Sequence, residues 1–172
     1  METHILNLAR QAVEHYVLTG TLLSPPNDLP GELSNPGPVF VSLRLGKSLR
    51  GCIGTLVATK PTLAEEIIAN AVAAAVSDPR FPSVTAPEFP ALSYEVDLVG
   101  PLKAVTGEDE LDPERYGVVV ESGERRGVLL PAIEGVTSTE QQVAIARTKA
   151  GINPDEPVTL YRFTVLRFRE ER

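Results

Sequence analysis

The sequence is poor in the residues from which covalent staples and metal centres are made. Of 172 residues, one is cysteine and two are histidine. A single cysteine cannot close an internal disulfide, and one cysteine with two histidines at no short ligand spacing does not make a zinc site. No metal and no other cofactor is therefore expected. Positive charge is also in deficit. Sixteen Lys plus Arg stand against 23 Asp plus Glu, a net charge of −7, so the surface field repels nucleic acid and anionic membrane, and neither is expected as a partner. The alanine-rich run IIANAVAAAV is the longest apolar candidate, and it falls well short of the ~18 residues that suggest a membrane span. The opening METHILNLARQAVEHYV has no basic start leading into an apolar run of secretory type, which makes a cytoplasmic location the expectation. A Walker-type phosphate loop and a dinucleotide fingerprint are missing as well.

What is present suffices for one domain, since a chain of this length buries roughly 70% of the surface its unfolded form exposes. Fifteen prolines and 13 glycines imply many turns, and they are dispersed except between residues 24 and 38. That stretch, SPPNDLPGELSNPGP, reads as an irregular surface loop able to lie over a cleft. Apolar residues at Ile5, Leu8, Ala9, Ala12, Val13, Tyr16 and Val17 mark one face of a helix. Thr62 and Glu65 form a capping-box signature that launches a second helix to about Ser77, and a third runs from Ser138 to Ala150, closed by Gly151. VFVSLRL and SLRGCIG flank Gly46-Lys47 as a tight hairpin, and GVVVESGERRGVLLP reads as another, turning at 122–124. LSYEVDLVG alternates as a strand with one wet face, and PVTLYRFTVLRF reads as a single long central strand. Interspersed elements with hairpin connections imply an α+β fold with a mixed, largely antiparallel sheet and about three main helices.

The first hairpin holds the only cysteine. A two-residue turn pairs Leu45 with Ser48, Leu43 with Arg50, Val41 with Cys52 and Val39 with Gly54. In that register Arg50 and Cys52 share the apolar side of Val39, Val41 and Leu43. Gly51 and Gly54 mark a bulge, or the close approach of another backbone or a ligand, and a bulge turns over the residues beyond it.

Cys52 has two readings. A nearby guanidinium such as Arg50 favours the thiolate and hence a nucleophile, whereas unpaired cysteines more often serve as small buried hydrophobes. His4 and His15 lie on the flank of the first helix stripe and read as solvated or edge-packed rather than as bases for the thiol. DPRF at 78–81 follows the second helix. Asp78 reads as a turn residue, and Arg80 either as half of a surface ion pair or as a second guanidinium that joins Arg50 in an anion pocket. The candidate site is thus Cys52 as nucleophile, with Arg50, Gly51, Gly54 and Arg80 binding substrate. The spacing of GCIG superficially matches the glycine loop of RNA-binding KH domains, but that loop joins two helices, not two strands.

Taken together, LRGCIGT at 49–55, the alanine-rich helix, DPRFP at 78–82, GVLLP at 127–131 and KAGI at 149–152 resemble the AMMECR domain family, in order, from about residue 5 to 168. The resemblance implies that residues 1–172 form a single domain of two lobes, with the LRGCIG hexapeptide lining a cleft between them. Prokaryotic relatives carry the label AmmeMemoRadiSam system protein A, so the implied partners are a Memo-like protein and a radical S-adenosylmethionine enzyme. The resemblance supplies no established reaction. Two functions stay open: an enzyme component acting on a small anionic substrate held by Arg50, Cys52 and Arg80, or a non-catalytic docking module whose glycine-flanked strand contacts a protein partner.

Overall fold

In the computed structural model, which describes residues 2–171, the apolar stripe starting at Ile5 becomes helix α1 (Glu2–Thr19). Ile5, Leu8, Ala9, Ala12 and Val13 form its buried face. Thr62 opens helix α2 (Leu63–Val76): its hydroxyl accepts from the Glu65 amide, and the Glu65 carboxylate accepts from the Thr62 amide. The proline-rich segment 24–38 is irregular and is anchored at this same helix end. Leu33 is buried in the core, and the carbonyls of Leu33 and Asn35 accept from the amides of Ala64 and Leu63, two donors that a helix start cannot satisfy by itself.

Helix α2 packs on strands β1 (Val39–Leu45) and β2 (Ser48–Gly54), and α1 packs on α2 and on strand β3 (Leu92–Val99). With β8 (Val165–Arg169) these form a four-stranded sheet in the order β2-β1-β3-β8, in which β1 runs antiparallel to both neighbours. The core of this unit, Met1–Val99 with Leu166–Arg172, lies between that sheet and the helices; Val39, Val41, Leu43, Val96 and Ile67 are fully buried there. The second unit, Gly100–Val165, has its own sheet in the order β4-β7-β5-β6, from β4 (Lys103–Val105), β5 (Gly117–Ser122), β6 (Arg125–Leu129) and β7 (Thr159–Phe163). Its pairings are antiparallel. Helix α3 (Thr139–Ala150) covers β5 and β6, starts at the Ser138 cap and ends at Gly151 in the left-handed region, φ 66°.

The α+β class and the antiparallel hairpins therefore match the sequence reading, and three particulars differ. The run PVTLYRFTVLRF is not one central strand. It breaks at Thr164, whose carbonyl accepts from Gly100 at 2.8 Å, and its halves join different sheets, β7 in one and β8 in the other. The alternation in β3 does not mean a wet face, because Glu95 and Asp97 are as buried as the apolar residues between them. Arginines make that possible: Arg167 donates two hydrogen bonds to Asp97, at 2.7 and 2.8 Å, and Arg169 is bonded to Glu95. Burial still pushes the Asp97 carboxyl above its usual range, against the pull of Arg167.

The third particular is the register of the first hairpin. Gly46 has the positive φ, 58°, that a primed turn needs, and Leu45 does oppose Ser48. Then Arg44 opposes Leu49 while Leu43 opposes Gly51, so Arg50 is the extra residue of a β-bulge. Beyond it every partner moves by one: Cys52 opposes Ser42, not Val41, and Gly54 opposes Phe40, not Val39. Cys52 accordingly lies on the polar face of the sheet with Ser42 and Glu95, away from Val41 and Leu43.

Helix packing explains why position 51 is glycine. A Cβ there would sit 2.1 Å from the backbone carbonyl oxygen of Ala74 in α2, and one at Gly54 would sit 2.2 Å from the Phe40 ring. The first obstacle is backbone and the second is a side chain that can turn. Gly51→Ala is expected to lower unfolding stability by about 2 to 3 kcal/mol, at the upper end of overpacking penalties, and by more than Gly54→Ala does. Denaturant melts of the two variants check this, and a Gly51→Ala protein as stable as the parent contradicts the packing of α2 on β2.

Candidate functional site

Strand β2 is the outer strand of its sheet, so alternate amides along it have no strand to donate to. The amide of Cys52 is one of these, and it donates to Asp78 Oδ2 at 3.0 Å. Asp78 stands directly past the end of α2, at Ser77, and only 4% of its surface is exposed. Its carboxylate takes three further bonds, all from Arg80: the backbone amide and Nε donate to Oδ1, each at 3.0 Å, and Nη2 donates to Oδ2 at 2.8 Å. A single oxygen thus receives both the Cys52 amide and the Arg80 guanidinium, which brings the arginine to the motif strand. The Arg80 side chain itself remains half open, at 52% exposure. The hydrogen bonds to Asp78, against burial, raise the Arg80 pKa, and the charges of Asp78 and Cys52 act in the same direction.

Arg50 is placed otherwise. It is 8% exposed, and its guanidinium is committed to the segment after α2. Nε donates to Glu88 Oε1 at 2.8 Å, Nη1 to the Pro82 carbonyl at 2.8 Å, and Nη2 to Glu88 Oε2 at 3.4 Å. Glu88 is fixed in turn by the amide and hydroxyl of Thr85, a capping box at the start of the 3-10 turn Ala86–Ala91. These bonds, with the Arg50 contact foremost, hold the Glu88 carboxyl below its usual range. Being the bulged residue is what aims Arg50 at this segment while Cys52 faces the other side.

The Cys52 sulfur is half-buried and accepts from Ser42 Oγ at 3.2 Å. Ser42 and Cys52 are directly opposed, and their amides and carbonyls point away from each other, the pairing in which side chains come closest. Arg167 of β8 also acts electrostatically on Cys52, from the row occupied by Glu95 and Asp97. The partly accessible sulfur thus has a hydroxyl donor, and both arginines and carboxylates share its surroundings.

Of the residues singled out in the sequence, Cys52 and Arg80 are brought together, Arg50 is held behind the strand, and Gly51 and Gly54 accommodate Ala74 and Phe40. Asp78, read from the sequence only as a turn residue, completes the arrangement with Ser42 and Glu88, which the sequence reading did not single out. The signal for Glu88 was present as Thr85-x-x-Glu88; nothing local marks Ser42, which depends on the shifted register. A second buried carboxylate, Glu66, secures the chain leaving β2: Thr55 Oγ1 and Thr59 Oγ1 donate to one oxygen, and the amides of Thr59 and Lys60 to the other. Burial opposes its charge, but these four bonds prevail and lower its pKa. Among the described residues no group of three or more His, Cys, Asp or Glu side chains is arranged to hold a metal ion, and no helix is long and apolar enough to cross a membrane.

The Arg80 hydrogen bonds, with the amides of Cys52 and Arg80 and against burial, bring the Asp78 pKa down from 3.8 to about 2. Because the folded state holds this group below its unfolded value, the stabilisation is complete above pH ~4 and is lost as pH falls through the folded value. Between pH 5 and pH 2 the parent is expected to lose on the order of 2 kcal/mol more stability than Asp78→Asn, in unfolding free energies measured across that range. Equal acid sensitivity in the two proteins contradicts the ionised Asp78 clasp.

The AMMECR1 family model matches residues 6–171. A protein of Thermotoga maritima is 48% identical over 164 residues, which cover 94% of each chain. Protein CA_C1420 of Clostridium acetobutylicum is 40% identical over 167 residues, 96% of this chain but 36% of that longer one. The crystal structure of protein PH0010 from Pyrococcus horikoshii superposes with a TM-score of 0.92 at 36% identity, covering 98% of this chain and 90% of the other. A family match that leaves out only a few residues at either end, with a relative 48% identical over nearly its whole length and a solved structure of the same fold, shows that the chain belongs to the AMMECR1 family.

Proposed function

We propose that the chain is a thiol-dependent component of a modification pathway, in which Cys52 is the nucleophile and Arg80 binds a small anionic substrate beside it. The observation that carries this reading is the shared oxygen of Asp78, which ties the Cys52 backbone to the Arg80 guanidinium. The Ser42 hydroxyl, donating to the sulfur, favours its charged form, and Arg80 does the same by charge. The fork to Asp78 uses Nε and Nη2 of Arg80 and leaves Nη1 for a carboxylate or carbonyl oxygen of the substrate. Arg50, Gly51 and Gly54 serve the site from behind: Arg50 fixes the bulge that turns Cys52 to the polar face, and the glycines let α2 and Phe40 close on the strand.

The Arg80 charge is balanced by Asp78 and the Arg50 charge by Glu88, which favours a substrate of a single negative charge over a polyanion such as a nucleoside triphosphate. Placement in a pathway with a Memo-like protein and a radical S-adenosylmethionine enzyme rests on the family resemblance. The alternative of a docking strand has less support, because the space at both glycines is taken by the chain itself and the outward Cys52 amide is occupied by Asp78.

Iodoacetamide at neutral pH is expected to modify Cys52 faster in the native protein than in the urea-unfolded chain, with the modified residue located by mass spectrometry. A thiol that reacts only as the protein unfolds contradicts the reading.

A further inference from the structure

A carboxylate at the second residue before an arginine, at the end of a helix, needs only one bond to hold a turn: its oxygen accepts the amide two residues on. Asp78 makes that bond, from Arg80 N to Oδ1, and then makes three that the turn does not require. Two grip the Arg80 side chain by Nε and Nη2, and one crosses to the Cys52 amide of another element. Arg80 needs such a grip, because half of its side chain is exposed and a long cation in water samples many rotamers. Asp78 does not, since it is buried and would be held by the two backbone donors alone.

We infer that Asp78 is a positioning residue for the thiol site: it holds the Arg80 guanidinium beside the strand at Cys52 by the two-bond fork, and it sets that strand by the amide bond. The inference rests on the proposed reading of Cys52 and Arg80 as the groups that meet substrate, and it adds that Arg80 is effective only while Asp78 holds it. Asp78 acts through Arg80 and through the Cys52 backbone. Lysine in place of Arg80 keeps the charge but has no planar fork to present to the carboxylate, so it does not substitute.

The test uses two alkylating probes of the same leaving group, iodoacetate and iodoacetamide, on the full chain. Both react with the thiolate, so the ratio of their rates cancels the fraction ionised and reports how the surroundings of the sulfur treat an anion. Arg80→Gln is expected to lower the iodoacetate to iodoacetamide ratio about threefold, the effect of one unit charge a few ångströms away even in water. In the Asp78→Asn background the same Arg80→Gln change is expected to leave the ratio unaltered, and Arg80→Lys in the parent background is expected to lower it as Gln does. The cycle removes whatever Asp78→Asn does to the field by itself.

An Arg80→Gln effect of equal size in both backgrounds overturns the inference and leaves the reading of the site intact. No Arg80→Gln effect in the parent, or a Cys52 that is unreactive in the native protein, overturns the reading and the inference with it. Should Asp78→Asn not fold, the parent alone decides. Its Arg80 Nε proton, followed by NMR, is expected to exchange with water far more slowly than that of free arginine, and exchange at the free rate overturns the fork.

Discussion

An amide on the open edge of a sheet must find an acceptor or remain in water, and at Cys52 the acceptor is a carboxylate carried by a different element, Asp78. Much of the surrounding structure follows from that one bond. For Asp78 to reach β2, the end of α2 must lie against the strand, and this brings the Ala74 carbonyl to where a side chain at position 51 would stand. The segment beyond Asp78 is then held at a second point, where Arg50 spans Pro82 and Glu88. The edge is closed by covalently distant parts of the chain, as natural sheets must close edges that would otherwise recruit another strand.

The bulge at Arg50 divides the work of the hexapeptide between the two faces of the sheet. Arg50 and Gly51 serve the contact with α2 and the segment that follows it, while Cys52 turns to the face that carries Ser42, Glu95 and Asp97. That face is buried yet charged, and each carboxylate in it has an arginine: Arg167 for Asp97, and Arg169 for Glu95. A sulfur in such a setting meets hydrogen-bond donors and fixed charges in place of aliphatic side chains.

Elements whose signals are local were legible in the sequence. The apolar stripe of α1, the Thr62 and Glu65 capping box, the Gly46 turn and the Gly151 terminus appear where residue chemistry places them. What depended on distant partners was not. Glu95 and Asp97 look solvated in an alternating strand, because the arginines that neutralise them lie some 70 residues further along the chain. The break at Thr164 is hidden in an unbroken alternating run, since β7 and β8 both suit strands and only their neighbours differ. Of the site, Cys52 and Arg80 were identifiable from residue type; the one-residue shift that gives Cys52 its face, and the clasp by Asp78, depend on a bulge that the glycines announced without locating.

The central claim is that the carboxylate of Asp78 closes the strand edge at Cys52, and native-state hydrogen exchange of a single amide tests it most directly. With the bond in place, the Cys52 amide exchanges only through large-scale unfolding in the parent, with protection near that of the core strand β1, and loses that protection selectively in Asp78→Asn. A Cys52 amide that exchanges in the parent as quickly as an exposed edge amide, or one equally protected in both proteins, contradicts the account.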